Sequence, residues 1–354
     1  MTIARGETVN EGGEGIYHCI SRCVRRAFLC GNDPYTGRSF EHRKKWVQAR
    51  LELLVGSFAL EIFAFAIMSN HLHVVLRTRP DWAESWSDEE TARRWLLVFP
   101  KRKSTNGTPP PPSPAELTSV CANGPGIEAI RRRLLSISWF MRGLNENIAR
   151  RANREDGCKG RFWEGRFKCQ VILDESALLT CMTYVDLNPV RAGMSTSPEA
   201  SPYTSAFLRI QARQAAEMAK NVPAGTDNGL SLEQKNITAR IGEWSTVDRW
   251  LCPLAKGSEN LRQGPLDLTL DQYLDVLDWT GRQLREANKK SIPAELEPIL
   301  DRLRVDSGRW LDTVQGYGRD FYRAAGREKL MRDAAGDLGR RWLRGLTASR
   351  RAFS

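Results

Sequence analysis

The chain has 354 residues, and its 53 Lys and Arg residues exceed its 42 Asp and Glu residues by a formal net charge of +11. Hydrophobic residues make up 41% and charged residues 27%, a globular composition that excludes a disordered or fibrous chain. No apolar run approaches the ~20 residues of a membrane span, which excludes an integral membrane helix. The length is enough for about two domains, and the basic excess favours an anionic partner, most often nucleic acid.

The cysteines and the N-terminal sequence bear on the compartment. The eight cysteines include no C-x-x-C pair and no zinc-binding spacing. The first residues show no apolar core of a secretory signal, so we expect a cytoplasmic protein with reduced thiols. Cys169 and Cys181 are predicted to be small hydrophobic residues of the core.

In chain order, the first predicted elements are strands and one helix. Aromatic and β-branched residues predict a strand over 15–24, and apolar residues three and four apart predict a helix over 39–57. Residues 61–68 are apolar on both faces, as in a central strand. The turn at 68–70 leads into a returning strand over 71–78.

Residues 81–126 interrupt this pattern. They begin with acidic residues and end in a proline run flanked by glycine and serine. A proline-rich stretch is a stiff, extended connector. We therefore predict a short helix over 88–98 and then an exposed insertion.

A long helix, a strand and a second helix follow. Apolar residues step by three and four over 127–152, which predicts one helix with a single apolar stripe. Residues 166–173 alternate like a strand. Asp174 is predicted to cap the N-terminus of a helix over 175–187, which Pro189 limits at its C-terminal end.

The order β-α-β-β-α-β-α predicts an α+β fold with an antiparallel sheet and helices on one face. Beyond about residue 205 the strand signals fade. Helical patterns cover 268–286, 293–304 and 307–346, and 221–230 has the composition of a linker. We therefore predict a first domain over 1–207 and a mainly α-helical domain over 208–354.

Two histidines occupy alternate positions of the strand predicted over 71–78. Residues two apart in a strand point to the same face, so His71 and His73 share one side of the sheet. Imidazole is a common metal ligand. The alternative interpretation is a pair of surface or packing histidines.

A tyrosine and an asparagine share one face of the helix that follows the last strand. Tyr184 and Asn188 are four residues apart, a spacing that places both side chains together. The alternatives are an interface tyrosine and an asparagine that ends the helix before Pro189.

Residues 160–168 combine Arg161, Arg166 and Lys168 with aromatic residues and glycines. Basic side chains contact phosphates and aromatic rings stack on bases, so the pattern is typical of nucleic-acid binding. Residues 127–173 hold 11 Lys and Arg and 5 Asp and Glu, a local excess of +6. The alternative is a solvated basic hairpin.

Taken in order, four segments resemble a known family. Tyr17–Arg22, Met68–Leu76, Gly165–Lys168 and Tyr184–Gly193 are similar to the single-tyrosine HUH transposases, and closely so to the REP-associated tyrosine transposase branch. The resemblance covers roughly residues 12–207. It implies a ferredoxin-like or RRM-like nuclease core that acts as a single-stranded DNA endonuclease and strand transferase.

The resemblance also implies roles for individual residues. His71 and His73 would hold Mg²⁺ or Mn²⁺, with Asn188 as a third polar ligand, and Tyr184 would form a 5′-phosphotyrosine intermediate. The implied partner is single-stranded DNA, derived from a hairpin or a repeat. The resemblance leaves open whether the protein forms a homodimer. The residues expected to bind this strand are Arg22, Arg161, Arg166, Lys168 and Arg191. His18 lies in the first matching segment, either near this site or packed in the sheet.

Two other functions are compatible with the sequence. One is a non-catalytic DNA-binding protein on the same fold, which the presence of both histidines and the tyrosine disfavours. The other is a metal-dependent hydrolase that uses water as the nucleophile, in which Tyr184 is dispensable.

The C-terminal part lies beyond the resemblance, and the insertion at 81–126 is longer than the family's usual link. Residues 320–354 hold 9 Lys and Arg and 4 Asp and Glu, an excess of +5. With Trp310 and Trp342, this suits a DNA-recognition or dimerisation module. A helical packing domain with a solvated basic face is the alternative.

Overall fold

A computed structural model describes residues 12–24, 28–33, 36–102, 110–220, 250–255, 264–285 and 293–353. The chain divides into two compact units. The first comprises Met1–Ile62 and Ile67–Ile172, and the second comprises Phe63–Ala66 and Leu173–Ser354. The domain boundary predicted after residue 207 stays a prediction, and the linker predicted over 221–230 lies outside the described residues.

An antiparallel sheet carries the histidines, as the sequence predicts for an α+β fold. Its strands are β1 (Ile16–Arg22), β2 (Leu60–Ile67), β3 (His71–Thr78) and β4 (Lys168–Ile172), in the order β2-β3-β1-β4. The central strand β1 is antiparallel to both β3 and β4. The turn between β2 and β3 is closed by the Met68 N–H, which donates to the His71 carbonyl at 2.9 Å.

Helices α1 (Arg43–Val55) and α6 (Ile137–Glu155) pack together in the first unit. The two helices approach closely at Gly143. A Cβ at this position would lie only 3.1 Å from Leu54 Cδ2, so the absence of a side chain permits the contact. From α6, the Asn145 amide donates to Ser21 Oγ on β1 at 2.8 Å. Ser21 alternates with the residues that oppose the histidines, so α6 covers the sheet face away from them.

The insertion contains more helix than the sequence predicts. In addition to α3 (Asp88–Val98), which confirms the predicted helix, it forms α2 (Pro80–Ser85) and α4 (Pro114–Cys121). Ser113 and Glu116 form a capping box that starts α4 directly after the prolines. The sequence did not predict α2 or α4, but α4 buries none of its residues, in keeping with the predicted exposed insertion.

The single helix predicted over 127–152 is also wrong. Two helices occupy this region, α5 (Gly124–Leu135) and α6, and Ser136 between them is extended at φ −83° and ψ 122°. The apolar spacing continues across Ser136, so the periodicity alone cannot reveal the break. Both helices bury their apolar stripes, as the spacing predicts.

The second unit is mainly helical. Asp174 caps its first helix as predicted, since its Oδ1 accepts from the Ala177 N–H at 2.9 Å. The helices are α7 (Glu175–Asp186), α8 (Asn188–Arg191), α9 (Ser205–Lys220), α10 (Leu270–Arg285), α11 (Glu297–Arg302), α12 (Trp310–Asp320), α13 (Glu328–Asp337) and α14 (Leu346–Ala352). None of the described helices is long and apolar enough to cross a membrane.

The helical pattern predicted over 307–346 is broken in the structure. A two-residue strand, β5 (Ala324–Ala325), separates α12 from α13, and a loop over 338–345 precedes α14. The break occurs because the Ala325 carbonyl accepts from the Leu173 N–H at 2.8 Å, a long-range bond that local spacing does not encode. Cys181 is buried as predicted, whereas Cys169 is only half-buried, which corrects its assignment to the core.

Candidate active-site residues

Three histidines meet on one face of the first unit's sheet. The rings of His71 and His73, two residues apart on β3, meet edge to face with centroids 4.8 Å apart. His18 on β1 stacks on His73 at 5.1 Å, and its Nε2 lies 2.8 Å from His73 Nδ1. His18 and His73 are each 2% exposed. The sequence left His18 open between the site and the sheet core, and the structure buries it in the sheet in direct contact with His73.

The hydrogen-bond partners of these histidines favour one tautomer for each ring. Gln170 on β4 presents Oε1 to His18 Nδ1 at 3.4 Å, which favours the His18 tautomer that donates from Nδ1 and accepts at Nε2. His73 therefore donates from Nδ1 and carries its lone pair on Nε2. Asn70 Oδ1 accepts from His71 Nδ1 at 2.7 Å, which places the lone pair of His71 on Nε2 as well. Both imidazoles thus have the tautomer that binds a metal through Nε2.

Burial keeps the rings of His18 and His71 neutral. Burial lowers the pKa of His18 to about 4 against the opposing hydrogen bond to the Gln170 oxygen, and the nearby His71 adds to the decrease. The pKa of His71 is also lowered to about 4, by burial and then by the charge of Arg22. A neutral imidazole is the form that binds metal, so the His71 ring is ready to act as a ligand at neutral pH.

The basic residues of the first unit that are predicted to bind single-stranded DNA are all exposed. Arg22 opposes His71 in the register of β1 and β3, and Lys168 opposes Ile20, which in turn opposes His73. These two cations therefore lie on the same sheet face as the histidines. Arg161 and Arg166 lie in the segment that precedes β4, and both are exposed.

This basic segment is fixed beside the end of β1. The Trp163 indole donates from Nε1 to the Asn145 carbonyl at 2.8 Å, and the Glu164 N–H donates to the Arg22 carbonyl at 2.8 Å. Phe162 is buried and edge-to-face with Trp163 at 5.0 Å. The aromatic residues therefore anchor the segment, while its cations point to solvent.

Tyr184 lies in the second unit, near the end of α7. Its ring is 5.3 Å from that of Tyr317 on α12, and the Arg191 guanidinium lies 4.5 Å over its face. A Cβ on Gly318 would lie 2.4 Å from the Tyr184 hydroxyl. The half-buried phenol is thus oriented by α8 and α12. The sequence did not predict Tyr317 or Gly318 as neighbours, because they are more than 130 residues away along the chain.

Asn188 and Arg191 follow on α8. Asn188 is its first residue and is 8% exposed. Arg191 is half-buried and donates from Nη2 to the Gln315 carbonyl at 2.8 Å. Arg191 therefore has a structural role, and its role in DNA binding stays a prediction.

A buried carboxylate holds this end of α7 in place. Asp186 accepts from Ser205 Oγ at 2.5 Å, from the Ala206 N–H at 2.9 Å and from the Tyr273 hydroxyl at 2.6 Å. Burial raises the pKa of Asp186, although these donors oppose the increase. The network ties α7 to α9 and α10, so the helix that carries Tyr184 is fixed on several sides.

The side chains available to a metal can be stated for each unit. Among the described residues, no group of three or more His, Cys, Asp and Glu side chains is arranged to hold a metal ion. The first unit contains the imidazoles of His71 and His73, and the second unit contains the amide of Asn188; the role of Asn188 as a ligand stays a prediction. Two imidazoles fit a divalent metal, provided that oxygen ligands complete its coordination.

Comparisons with known proteins give no sequence match and a weak structural similarity. No protein-family model matches the sequence, and no curated protein matches it. A solved structure described as a REP-associated tyrosine transposase bound to a REP hairpin aligns with 65% of this chain and 96% of its own. The identity is 14% and the TM-score 0.34. A similarity of this size carries no argument, so function is inferred from the residues themselves.

Proposed function

We propose that this protein is a metal-dependent single-stranded DNA endonuclease and strand transferase. The observation that supports this best is the hydrogen-bonded chain from Gln170 through His18 to His73, which fixes the tautomer needed for metal binding. Such outer partners commonly orient metal-binding histidines.

The metal would be Mg²⁺ or Mn²⁺, held by His71 and His73 with Asn188 as a third ligand. When bound, it supplies stabilisation of the negative charge that develops on the oxygens of the scissile phosphate. Arg22 and Lys168, on the same face as the histidines, would bind phosphates that flank the scissile one. Arg161 and Arg166 would extend this contact along the strand.

Tyr184 is the proposed nucleophile. Its hydroxyl oxygen attacks the phosphorus atom and loses its proton, while the bond from phosphorus to the 3′ oxygen breaks and that oxygen leaves as a 3′-hydroxyl. The phosphate stays joined to the 5′ carbon and to the tyrosine. Because the covalent link retains the phosphodiester bond energy, a later attack by a 3′-hydroxyl rejoins the strand without ATP.

A second candidate is a nuclease that uses water as the nucleophile. The contacts of the Tyr184 ring with Tyr317, Arg191 and Gly318 favour it, since they are typical of a packing tyrosine. In this case strand cleavage would proceed without a covalent intermediate.

The deciding experiment detects a covalent protein–DNA species. Purified protein is incubated with labelled single-stranded hairpin DNA and Mn²⁺ or Mg²⁺, and the products are separated on a denaturing gel. We expect a shifted protein–DNA band that is lost in Tyr184→Phe, in His71→Ala and with EDTA. Tyr317→Phe, a neighbouring tyrosine, serves as the matched control and should retain the band.

Each other outcome has a definite meaning. A band that persists in Tyr184→Phe contradicts the assignment of the nucleophile. Cleavage without a band, unaffected by Tyr184→Phe, supports the water-dependent nuclease. Binding without cleavage, under every metal condition, supports a non-catalytic DNA-binding protein.

A further inference from the structure

A basic and aromatic groove lies at the C-terminal end of the second unit. It is lined by Tyr322, Arg323, Arg340, Arg341, Trp342 and Arg344 around the buried Leu343, and its volume is about 440 Å³. A larger cavity of about 810 Å³ shares Trp342 and Arg344 with it. We call the two together the C-terminal groove.

The aromatic rings of this groove are unusually exposed. Trp342 is 67% exposed and Tyr322 is 52% exposed, the two highest values among the large hydrophobic side chains of the described residues. In contrast, Trp310 is fully buried and donates from Nε1 to Thr280 Oγ1 at 2.7 Å. The two tryptophans singled out in the sequence thus have different roles, and only Trp342 has its ring available to a ligand.

The charge of the groove is strongly positive. Seven arginines line its two cavities against two aspartates. Within the part of the chain that the structure describes, no carboxylate lies within ion-pairing distance of Arg341 or Arg344. Arg344 instead donates to the Arg319 carbonyl at 2.8 Å. These guanidinium groups therefore remain able to bind an anion.

The loop that presents these side chains is held in one conformation. Gly339 and Gly345 have φ values of +62° and +109°, which side-chain-bearing residues rarely adopt. A Cβ on Gly345 would lie 2.7 Å from Phe321 Cδ1. Between these glycines, the burial of Leu343 fixes the loop and turns Trp342 and its neighbouring arginines outward.

We propose that the C-terminal groove binds single-stranded nucleic acid. Trp342 and Tyr322 would stack on exposed bases, and the arginines would contact the backbone phosphates, the combination that single-strand-binding surfaces use. A duplex does not offer the faces of its bases to such rings. An acidic peptide does not require two exposed aromatic rings among arginines, and the described lining contains no long aliphatic side chains exposed for insertion into a membrane, so the aromatic residues favour nucleic acid.

The groove is connected to the proposed nucleophile by one helix. Gln315 and Gly316 of α12 line the larger cavity, and the next two residues, Tyr317 and Gly318, pack against Tyr184. A strand bound in the groove would therefore run beside the helix that orients Tyr184. This placement rests on the proposed function, but binding in the groove needs neither Tyr184 nor the histidines.

Binding is tested with the full chain in a Tyr184→Phe background, which separates it from cleavage. A fluorescent 15-nucleotide oligothymidine that contains 5-bromodeoxyuridine is titrated by anisotropy and then crosslinked with ultraviolet light. We expect the crosslink to map to the peptide that contains Trp342. Trp342→Ala should remove this crosslink and weaken binding by about 5- to 150-fold, the loss of one stacked base. Trp342→Phe should retain most of the affinity.

The arginines are tested through salt dependence. Replacing Arg340 and Arg341 by Gln should reduce the slope of log K against log salt by about 1.4, or about 0.7 for each phosphate contact. Arg282→Gln, an exposed arginine of the same unit outside the groove, should leave the slope unchanged. Circular dichroism confirms that each variant is folded.

Several results would overturn the inference. A crosslink that maps elsewhere and is unaffected by Trp342→Ala would do so, as would equal competition by a duplex of the same length. Binding to phosphatidylserine vesicles that Trp342→Ala abolishes, with oligothymidine binding unchanged, would assign the groove to membranes instead. The failure of covalent-adduct formation would contradict only the proposed function, because the groove assay contains no cleavage step.

Discussion

At the residue scale, the most informative feature is that the histidine pair is supported by a third histidine and a glutamine. His18 and Gln170 come from separate strands, and only the register of β1 with β3 and β4 brings them to His73. From their spacing, the sequence predicted that His71 and His73 share one face of the sheet. It could not assign His18, because strand register depends on long-range pairing.

This arrangement predicts the effect of removing the glutamine acceptor. Gln170→Leu keeps the side-chain volume but no longer holds His18 Nδ1, so His73 loses its fixed tautomer. We expect the affinity for Mn²⁺ to fall by about 10- to 100-fold, as for other outer partners of metal ligands. The measurement is the concentration of free Mn²⁺ by electron paramagnetic resonance.

Ser21→Ala is the matched control for this substitution, since Ser21 is also buried but lies on the other face of the sheet. Its Mn²⁺ affinity should equal that of the unmodified protein. If Gln170→Leu also binds Mn²⁺ with unchanged affinity, the glutamine has no part in metal binding.

Replacing either of two glycines by alanine is expected to change the melting temperature, in opposite directions. A Cβ on Gly318 would overlap the Tyr184 hydroxyl, whereas nothing lies within 4 Å of a Cβ on Gly336. Both lie in helices, where alanine is favoured over glycine by about 1 kcal/mol. We expect Gly336→Ala to raise the melting temperature by a few degrees and Gly318→Ala to lower it.

The contact is tested by a double substitution. Tyr184→Phe removes the nearest atom, so Gly318→Ala should be less destabilising in that background than in the unmodified protein. Equal melting-temperature changes in the two backgrounds would mean that Gly318 does not hold the phenol. Differential scanning calorimetry provides the values.

At the element scale, the strands and the helix cap at Asp174 were predicted well from the sequence, and the helix boundaries were predicted less well. The alternation in β1 and β3 and the cap at Asp174 depend on local spacing, and both appear in the structure. The break at Ser136 and the strand at Ala324–Ala325 depend on contacts between distant segments. Local periodicity contains no record of such contacts.

A buried carboxylate on β2 gives a pH-dependent prediction. Glu61 accepts from Arg77 at 3.0 and 2.5 Å and from Arg79 at 2.8 Å. Burial would raise the pKa of Glu61, but the two guanidinium groups outweigh it and hold the pKa below its usual value. The unfolded carboxyl therefore binds a proton first as the pH falls below about 4.5, and the stabilisation it gives at neutral pH is lost in acid.

Glu61→Gln should accordingly destabilise the protein at pH 7 by about 2 kcal/mol. Its disadvantage relative to the unmodified protein should shrink at pH 3. Glu84→Gln, at an exposed position, should change neither value. Melting temperatures at both pH values provide the test, and an equal loss at pH 7 and pH 3 would show that the charge of Glu61 does not contribute.

At the scale of the whole molecule, the two basic regions predicted from the sequence are resolved into different structures. The excess within 127–173 includes an exposed cation, Lys168, on the face of the histidines, and five of the nine Lys and Arg residues within 320–354 line the C-terminal groove. The sequence located both basic regions, but it could not show that Trp310 is buried and Trp342 exposed. Their exposure depends on packing within the second unit, which composition does not describe.

The chain also predicts how a fragment behaves. Residues Phe63–Ala66 of β2 belong to the second unit, where Ser205 Oγ accepts from the Phe65 N–H at 3.0 Å and Arg209 donates to the Phe63 carbonyl at 3.0 Å. A fragment of residues 1–172 lacks both partners. We expect it to bind the dye ANS and to aggregate, whereas the full chain does neither. A monomeric fragment with an intact near-ultraviolet spectrum would contradict this.

The same division of β2 has a consequence for synthesis in the cell. Phe65 leaves the ribosome 140 residues before Ser205, its hydrogen-bond partner. At about 5–20 residues per second, the apolar segment 61–68 waits for about 7–28 s without the contacts that complete it. A strand of this composition is prone to pair with other chains. The nascent protein is therefore expected to depend on chaperones that shield β2 until α9 has been made.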